Sequence, residues 1–274
     1  MDLDRVAGQL RAAAAREILP RFRALSAGDV EEKNPGDLVT VADRAAEAFL
    51  ARELAALLPG SRVVGEEAAH GDPALLAAVA GDGPVWIVDP VDGTGNFAHG
   101  NPDFAVMVAL RRGGETVAAW ILDPLGGGGA GRMAVAERGG GAFLDGVRLS
   151  LPPAPDLAAM HGGVLTRYLP AHLRRDAEAA VPRFARVSAK LSAGHEYLDL
   201  LSGEKHFTLY YRTLPWDHAP GALMVAEAGG LAWRLDGTAY AVTDPGPGLL
   251  LAPDAGTWRA LHDLLVPGVA LVRP

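Results

Sequence analysis

Two carboxylates three residues apart, Asp89 and Asp92, follow directly on a short apolar run of the chain. The run, Trp-Ile-Val at 86–88, is typical of a buried strand, which would deliver a carboxylate at its end. In an α/β sheet, ligands usually bind at the carboxyl ends of the strands. Gly93 and Thr94 come next and offer a bare backbone and a hydroxyl, which suit the binding of a phosphate oxygen. Because Mg²⁺ prefers oxygen ligands, two carboxylates on one stiff turn could hold hard cations.

The tripeptide Asp-Gly-Thr on its own is also common in ordinary turns, so its meaning depends on the residues around it. The whole stretch 86–97 reads Trp-Ile-Val-Asp-Pro-Val-Asp-Gly-Thr-Gly-Asn-Phe. This string closely resembles the Asp-Pro-x-Asp-Gly-Thr-x-Asn-Phe signature of the inositol monophosphatase family, which are magnesium-dependent, lithium-sensitive phosphomonoesterases. The resemblance implies a phosphoric monoester hydrolase that acts on a small phosphorylated metabolite.

Four further segments are similar to other motifs of the same family and occur in the family's order. They are Asp-Leu-Val-Thr-Val-Ala-Asp at 37–43, Val-Val-Gly-Glu-Glu at 63–67, Pro-Trp-Asp-His-Ala-Pro-Gly at 215–221 and Glu-Ala-Gly-Gly at 227–230. The likeness extends from about Lys33 to about Gly237 and so covers most of the chain.

The resemblance implies two or three bound Mg²⁺ ions that share a set of oxygen ligands. The ligands of the first ion would be Glu66, Asp89 and the carbonyl oxygen of Val91, and those of the second ion Asp89, Asp92 and Asp217. Glu67 would either support a third, weaker ion or lie beside the ligands without direct contact. Asp217 taken alone could be a simple helix N-cap, but the residues on both sides of it match the family motif.

The resemblance also implies catalytic roles. Thr94, oriented by Asp43, would take a proton from the attacking water beside Glu66, and the water would attack phosphorus in line with the leaving alcohol. The backbone amides of Gly93 and Thr94 would hold phosphate oxygens. A structural alternative for Asp43 is the capping of a helix, a role that can coexist with a catalytic one.

The segment expected to face the leaving group departs from the family pattern. Inositol phosphatases carry an acid there that binds sugar hydroxyls, whereas residues 207–212 contain no carboxylate. His195, Glu196 and Tyr211 could recognise a different polar substrate, or they could be packing residues. We therefore expect inositol 1-phosphate not to be the best substrate. Histidinol phosphate, fructose 1,6-bisphosphate, NADP and adenosine 3′,5′-bisphosphate stay open as alternatives.

Other functional interpretations have weaker support. A non-catalytic homologue that binds a phosphorylated metabolite is a minor alternative, because every proposed metal ligand is present. The glycine-rich run 126–131 fits a dinucleotide-binding pattern only because nearly every residue is Gly, and it opens no predicted helix. His195–Asp199 resembles a zinc-protease helix but has Asp where a second His is needed. Lys33 could be the family's basic residue near the first motif, or a solvated lysine.

Composition limits the classes of partner. The net charge of −8 argues against nucleic acid, which binds basic surfaces, yet bound cations could still attract a small anion. There is no long apolar run, signal peptide or cysteine, so we expect no membrane span and a cytoplasmic location. The family resemblance suggests a homodimer.

The remaining pattern predicts mixed helices and strands. Helices are expected at 3–25, at 41–58 behind a Thr40–Asp43 capping box, and from Asp217 to Ala228. Strands are expected at 104–110, 116–122, 133–136, 142–149, 206–211 and 248–251. The proline-rich stretch 151–155 suggests a boundary between regions 1–150 and 151–274, which could also count as one domain. Such elements fit an α/β (α+β) class, and the resemblance implies a five-layer αβαβα sandwich of the inositol monophosphatase and fructose-1,6-bisphosphatase type.

Overall fold

The structure is a computed structural model that describes residues 2–244, 246 and 248–272. Within those ranges the α-helices are α1 (Leu3–Ala13), α2 (Val41–Leu57), α3 (Glu66–Gly71), α4 (Ala77–Ala80), α5 (Thr94–Ala98), α6 (Ala171–Ala180), α7 (Ala193–Leu201), α8 (Pro215–Glu227) and α9 (Ala255–Leu265). The strands are β1 (Val30–Asn34), β2 (Asp37–Thr40), β3 (Arg62–Gly65), β4 (Val85–Asp92), β5 (Ala105–Arg112), β6 (Glu115–Asp123), β7 (Arg132–Glu137), β8 (Gly141–Leu144), β9 (Val147–Arg148), β10 (His161–Val164), β11 (Arg186–Val187), β12 (Phe207–Tyr210), β13 (Leu231–Trp233) and β14 (Leu249–Ala252).

The larger sheet has seven strands in the order β3-β4-β5-β6-β7-β8-β9. β3 and β4 are parallel, and every later pair is antiparallel. The hairpin of β5 and β6 and the apolar strand that leads into Asp89 are therefore confirmed. Every residue of β4 is buried, because the sheet is covered on both faces.

Alternate side chains of the larger sheet pack against different helical layers. Trp86, Val108 and Trp120 face α1 and α2 in one hydrophobic cluster. Met107 and Ile121 face the opposite side, where they pack with residues of α7 and α8. This period of two follows from the pleat of a strand.

The smaller sheet has five strands in the order β11-β10-β12-β14-β13. Leu249 and Leu251 face the α7–α8 layer, whereas Leu250 and Phe207 face α6 and α9 on the far side. The layers therefore run α1/α2, larger sheet, α7/α8, smaller sheet, α6/α9. The expected αβαβα sandwich is confirmed.

Local differences from the sequence-based expectations occur at helix ends. The capping box of α2 is present, with Thr40 and Asp43 bonded reciprocally. The helix expected at 3–25 is α-helical only to Ala13, and it continues as a π-helical turn and then a 3-10 turn to Arg21. Asp217 does not open its helix. α8 begins at Pro215, because proline suits the first position of a helix, and Asp217 lies inside the first turn. None of the described helices combines the length and apolarity needed to cross a membrane.

Candidate active site

Three carboxylates meet where the end of β4 approaches the first turn of α8. Asp89, Asp92 and Asp217 each offer an oxygen atom, and these atoms lie within 4.8 Å of one another. Residues three apart on a regular strand would face opposite sides of the sheet. However, β4 carries an extra residue at this point, since Asp89 pairs with Met107 and Asp92 pairs with Ala105. This bulge lets both carboxylates point toward Asp217.

The electrostatics of the three carboxylates favour a bound cation. Burial, followed by the negative charges of Glu66 and Asp92, raises the pKa of both Asp89 and Asp217 well above the usual range. Asp89 is 1% exposed, and its Oδ1 atom has no hydrogen-bond partner among the described residues. A hard divalent cation would neutralise the repulsion and occupy the unpartnered oxygen. The site therefore fits Mg²⁺.

Asp92 is oriented by the start of α7. It accepts hydrogen bonds from Ser192 Oγ at 2.5 Å, from the Ala193 amide at 2.9 Å and from the Gly194 amide at 2.7 Å. Burial raises the pKa of Asp92, and these hydrogen bonds oppose the rise. The carboxylate thus sits on the positive end of a helix 100 residues away in sequence.

Thr94 and Asp43 form a hydrogen-bonded pair behind the carboxylates. Thr94 Oγ1 lies 2.9 Å from Asp43 Oδ1 and 3.0 Å from the Val91 carbonyl oxygen. Thr40 donates to the other Asp43 oxygen through its amide and its hydroxyl, at 2.8 and 2.5 Å. Burial nonetheless raises the pKa of Asp43 to about 7. The preceding Gly93 has φ +82°, and a Cβ there would lie 2.9 Å from the Asp103 carbonyl oxygen, so only glycine fits.

Glu66 and Glu67 are held by an interior lysine. Lys33 Nζ lies 2.9 Å from a carboxylate oxygen of each, and its side chain is only 5% exposed, so it is not a solvated lysine. Glu66 lines the cavity of the three aspartates, whereas Glu67 faces a separate hollow. Glu47, which the sequence analysis did not identify, accepts the Glu67 and Ala68 amides at 2.8 Å each and so caps α3.

The three aspartates lie in a cavity of about 680 Å³. Its lining also includes Gly93, Thr94 and Tyr211. Arg167 and Arg212 also line the cavity and are exposed. Asp43 does not reach the cavity and acts on it only through Thr94.

The expectation that His195 and Glu196 face the substrate is wrong, because both point into the protein. Glu196 is 0% exposed and forms an ion pair with Lys205. The His195 ring lies against the Phe104 carbonyl oxygen at 3.2 Å. Neither residue lines the cavity. Of the three expected substrate residues, the structure brings only Tyr211 to it.

Sequence reasoning missed several residues that shape this site. Ser192 stands at the N-cap of α7 and accepts the His195 amide, and a serine before a helical pattern is a readable cap signal. Glu47 and Arg167 carried no such signal. Glu47 lies in the middle of a helix and Arg167 in a loop, so their partners depend on long-range packing.

Known proteins are similar to this chain over nearly its whole length. The profile described as "Inositol monophosphatase family" matches residues 2–270. An inositol-1-monophosphatase of Mesorhizobium japonicum is 34% identical over 82% of each chain. The Nus factor SuhB of Pseudomonas aeruginosa is 33% identical over 84% of each chain.

Solved structures agree as well. The Thermotoga maritima IMPase superposes with a TM-score of 0.79 at 26% identity, covering 97% of this chain and 96% of its own. The structure of 2′-AMP-bound SaIMPase-II superposes with a TM-score of 0.77 at 25% identity, covering 96% and 93%.

Proposed function

Because the chain belongs to the inositol monophosphatase family, we propose that it is a Mg²⁺-dependent phosphomonoesterase that hydrolyses a small phosphorylated metabolite. The observation that carries the proposal is the group formed by buried Asp89 and Asp92 with half-buried Asp217, in which one Asp89 oxygen has no hydrogen-bond partner among the described residues. Such a group is costly unless a cation binds it.

The residues present fit the expected metal sites. Asp89, Asp92 and Asp217 would hold one Mg²⁺ ion, and Glu66 with the Val91 carbonyl would contribute to a second beside Asp89. Glu67 stays an optional contributor to a third. Bound magnesium would stabilise the negative charge that develops on the phosphoryl oxygens.

The chain's own groups supply the proton chemistry. The Thr94 hydroxyl can donate to Asp43 while its oxygen accepts a hydrogen bond from the attacking water. The first amides of α5 have no acceptor within the helix and would hold phosphate oxygens beside Gly93. The negative cavity wall formed by the three aspartates would then require cations to admit a phosphate ester.

The proposed substrate class rests on the segment before α8. Residues 207–212 contain no carboxylate, which supports the proposal that inositol 1-phosphate is not the best substrate. One Staphylococcal relative is described with 2′-AMP bound and also with inositol monophosphate bound, so a nucleotide is a candidate substrate beside an inositol phosphate. Some relatives are named as Nus factors, so a regulatory, non-catalytic role is the second candidate function. The complete set of proposed metal-binding carboxylates argues against that role. Lithium inhibition, a homodimer, a cytoplasmic location and the absence of nucleic-acid partners stay predictions.

The test is phosphate release from a panel of phosphorylated metabolites, with Mg²⁺ and with a chelator. We expect activity only with Mg²⁺, and we expect Asp89→Asn to lower kcat/KM by about 100-fold or more, the scale of losing one strong electrostatic contact in a reaction centre. Asp123→Asn is the matched control, because Asp123 is a buried aspartate outside the cavity that accepts the Leu125 and Gly126 amides.

Folding must be measured beside activity. Asp89 is repelled by its neighbours in the metal-free protein, so Asp89→Asn should unfold at the same temperature as wild type or higher when Mg²⁺ is absent. Mg²⁺ should stabilise wild type against heat more than it stabilises the variant. Near-normal turnover by a folded Asp89→Asn protein, or full turnover in chelator, would show that the proposal is wrong.

A further inference from the structure

The lining of the active-site cavity carries both signs of charge. Its more buried part carries Asp89, Asp92 and the half-buried Asp217, and its exposed part carries Arg167 and Arg212. The protein as a whole is acidic, with a net charge of −8. The two arginines therefore give part of the cavity lining a positive charge, opposite in sign to the net charge of the protein.

Arg212 is held in place from two directions. Its guanidinium lies 4.2 Å from the centre of the Tyr168 ring, close enough for a cation–π contact. Its backbone carbonyl lies 3.1 Å from His218 Nε2. Tyr197 Oη lies 3.0 Å from the other nitrogen of this ring, Nδ1. Tyr197 can therefore donate to Nδ1 while Nε2 donates to Arg212, which fixes the backbone that carries the arginine.

Arg167 is held against the loop before the first motif. One of its terminal nitrogens lies 3.3 Å from the Pro35 carbonyl oxygen. A Cβ at Gly36 would lie 2.6 Å from the same guanidinium. The Arg167 side chain therefore occupies space that is open because residue 36 is glycine. The guanidinium also lies 5.3 Å from the centre of the Tyr168 ring.

Neither arginine has a close carboxylate partner in the described residues, although the charge of Arg212 acts on the Asp217 carboxylate of the same cavity. Arg212 contacts an aromatic ring, and Arg167 contacts a ring and a carbonyl oxygen. Neither forms an ion pair with a carboxylate in the part of the chain that the structure describes, although buried Arg234 does pair with Asp244. Positioned guanidinium groups without an ion-pair partner are suited to binding phosphate or carboxylate oxygens.

We propose that Arg167 and Arg212 form a subsite in the exposed part of the cavity that binds a second anionic group, carried by the leaving group of the substrate. This inference rests on the proposed function and narrows it. The preferred substrate is then a phosphate ester with a further phosphate or carboxylate, and a neutral polyol phosphate is the wrong class. A cavity of about 680 Å³ has room for such a ligand.

The first part of the test compares substrates that differ only in the second charge. One pair is adenosine 2′-monophosphate and adenosine 2′,5′-bisphosphate, and the other is glycerol 2-phosphate and 2-phosphoglycerate. We expect the Mg²⁺-loaded enzyme to prefer the doubly anionic member of at least one pair. The adenosine pair reports a second phosphate, and the glycerol pair reports a carboxylate.

The second part removes each arginine in turn. Arg212→Gln and Arg167→Gln should each lower kcat/KM for the preferred doubly anionic substrate roughly tenfold to a hundredfold more than for its partner, the effect of losing a charge-assisted hydrogen bond. Arg259→Gln is the control, because Arg259 is an exposed arginine of α9 outside the cavity. It changes net charge equally and should leave both rates unchanged.

Calorimetric binding of all four compounds, measured beside turnover, separates the two proposals. If no panel compound releases phosphate, the proposed function fails, and the subsite is judged from binding alone. Equal losses on both members of a pair would mean that the arginines bind the reacting phosphate. That result would overturn the proposed subsite. So would a wild-type protein that neither hydrolyses nor binds the doubly anionic member of either pair better than its partner.

Discussion

The hydroxyl of Thr94 has two acceptors and a single proton to donate. Asp43 Oδ1 lies 2.9 Å away and the Val91 carbonyl oxygen lies 3.0 Å away. When Asp43 is protonated, it can donate to Thr94, and the threonine then donates to Val91. When Asp43 is ionised, Thr94 donates to it, and both the threonine lone pairs and the Val91 carbonyl become available to the reaction centre.

This geometry predicts how activity depends on pH. Burial raises the pKa of Asp43 to about 7, so kcat/KM should rise with pH as Asp43 ionises, at or below pH 7, because nearby Mg²⁺ would favour the charged form. Asp43→Asn should lose this acidic limb, since an amide does not ionise. The measurement is a pH profile of both proteins at saturating Mg²⁺. An unchanged acidic limb in Asp43→Asn would assign that limb to another group.

The same shift has a consequence for stability. The unfolded chain has an ordinary Asp pKa of about 3.9, so between that value and about 7 the folded protein binds the proton more tightly. The contribution of Asp43 to stability is therefore complete at low pH and is lost as pH rises through about 7. In metal-free buffer, Asp43→Asn should flatten that part of the stability profile.

At the scale of secondary structure, a short helix depends on one buried acid. α3 begins at Glu66, and its first amides donate to the Glu47 carboxylate from α2. A Cβ at Gly65 would overlap this carboxylate, so the glycine leaves room for it. Glu47 thereby fixes the direction in which Glu66 enters the cavity.

We predict that Glu47→Ala weakens both the fold and the response to metal. Loss of a helix cap costs about 0.5–2 kcal/mol, and the displaced Glu66 should raise the Mg²⁺ concentration needed for half-maximal activity. Asp254→Ala is the matched control, because Asp254 caps α9 through the Thr257 amide at 2.9 Å. It should lower the unfolding temperature without changing the Mg²⁺ response. Equal Mg²⁺ responses in the two variants would show that Glu47 has no effect on metal binding beyond its contribution to stability.

At the scale of the whole molecule, α7 and α8 form the only layer between the two sheets in the described ranges. Their residues pack with Met107 and Ile121 of the larger sheet and with Leu249 and Leu251 of the smaller one. The strands of the larger sheet end at Arg148, and those of the smaller sheet begin at His161. The boundary predicted at 151–155 thus lies between the sheets in sequence, but their shared layer comes entirely from the second region.

This arrangement predicts one cooperative unit. A fragment of residues 1–150 would expose the face of the larger sheet that carries Met107 and Ile121, and each large side chain left unburied costs about 1.5–3 kcal/mol. The fragment should therefore lack a cooperative thermal transition, whereas the full chain should show a single one by circular dichroism and tryptophan fluorescence. A stable, cooperatively folding fragment would instead establish 1–150 as an independent domain.

Local sequence determined much of the reaction centre. The apolar run before Asp89 and the capping box of α2 are patterns of residues near in sequence, so they could be read directly. The layered fold and the family followed from motifs spread along the chain. The bulge in β4 that turns Asp89 and Asp92 to one side was not readable, because it is defined only by pairing with β5.

Tertiary structure alone decided the direction of the side chains around the substrate. Residues 194–201 of α7 are all buried, so the helix has no polar face from which its orientation could be read. His195 and Glu196 were expected at the cavity, yet packing on every side turns both inward, where Glu196 meets Lys205. Arg167 reaches the cavity from a loop, placed by a distant proline carbonyl and a glycine. Such contacts join residues far apart in the chain, and no local spacing encodes them.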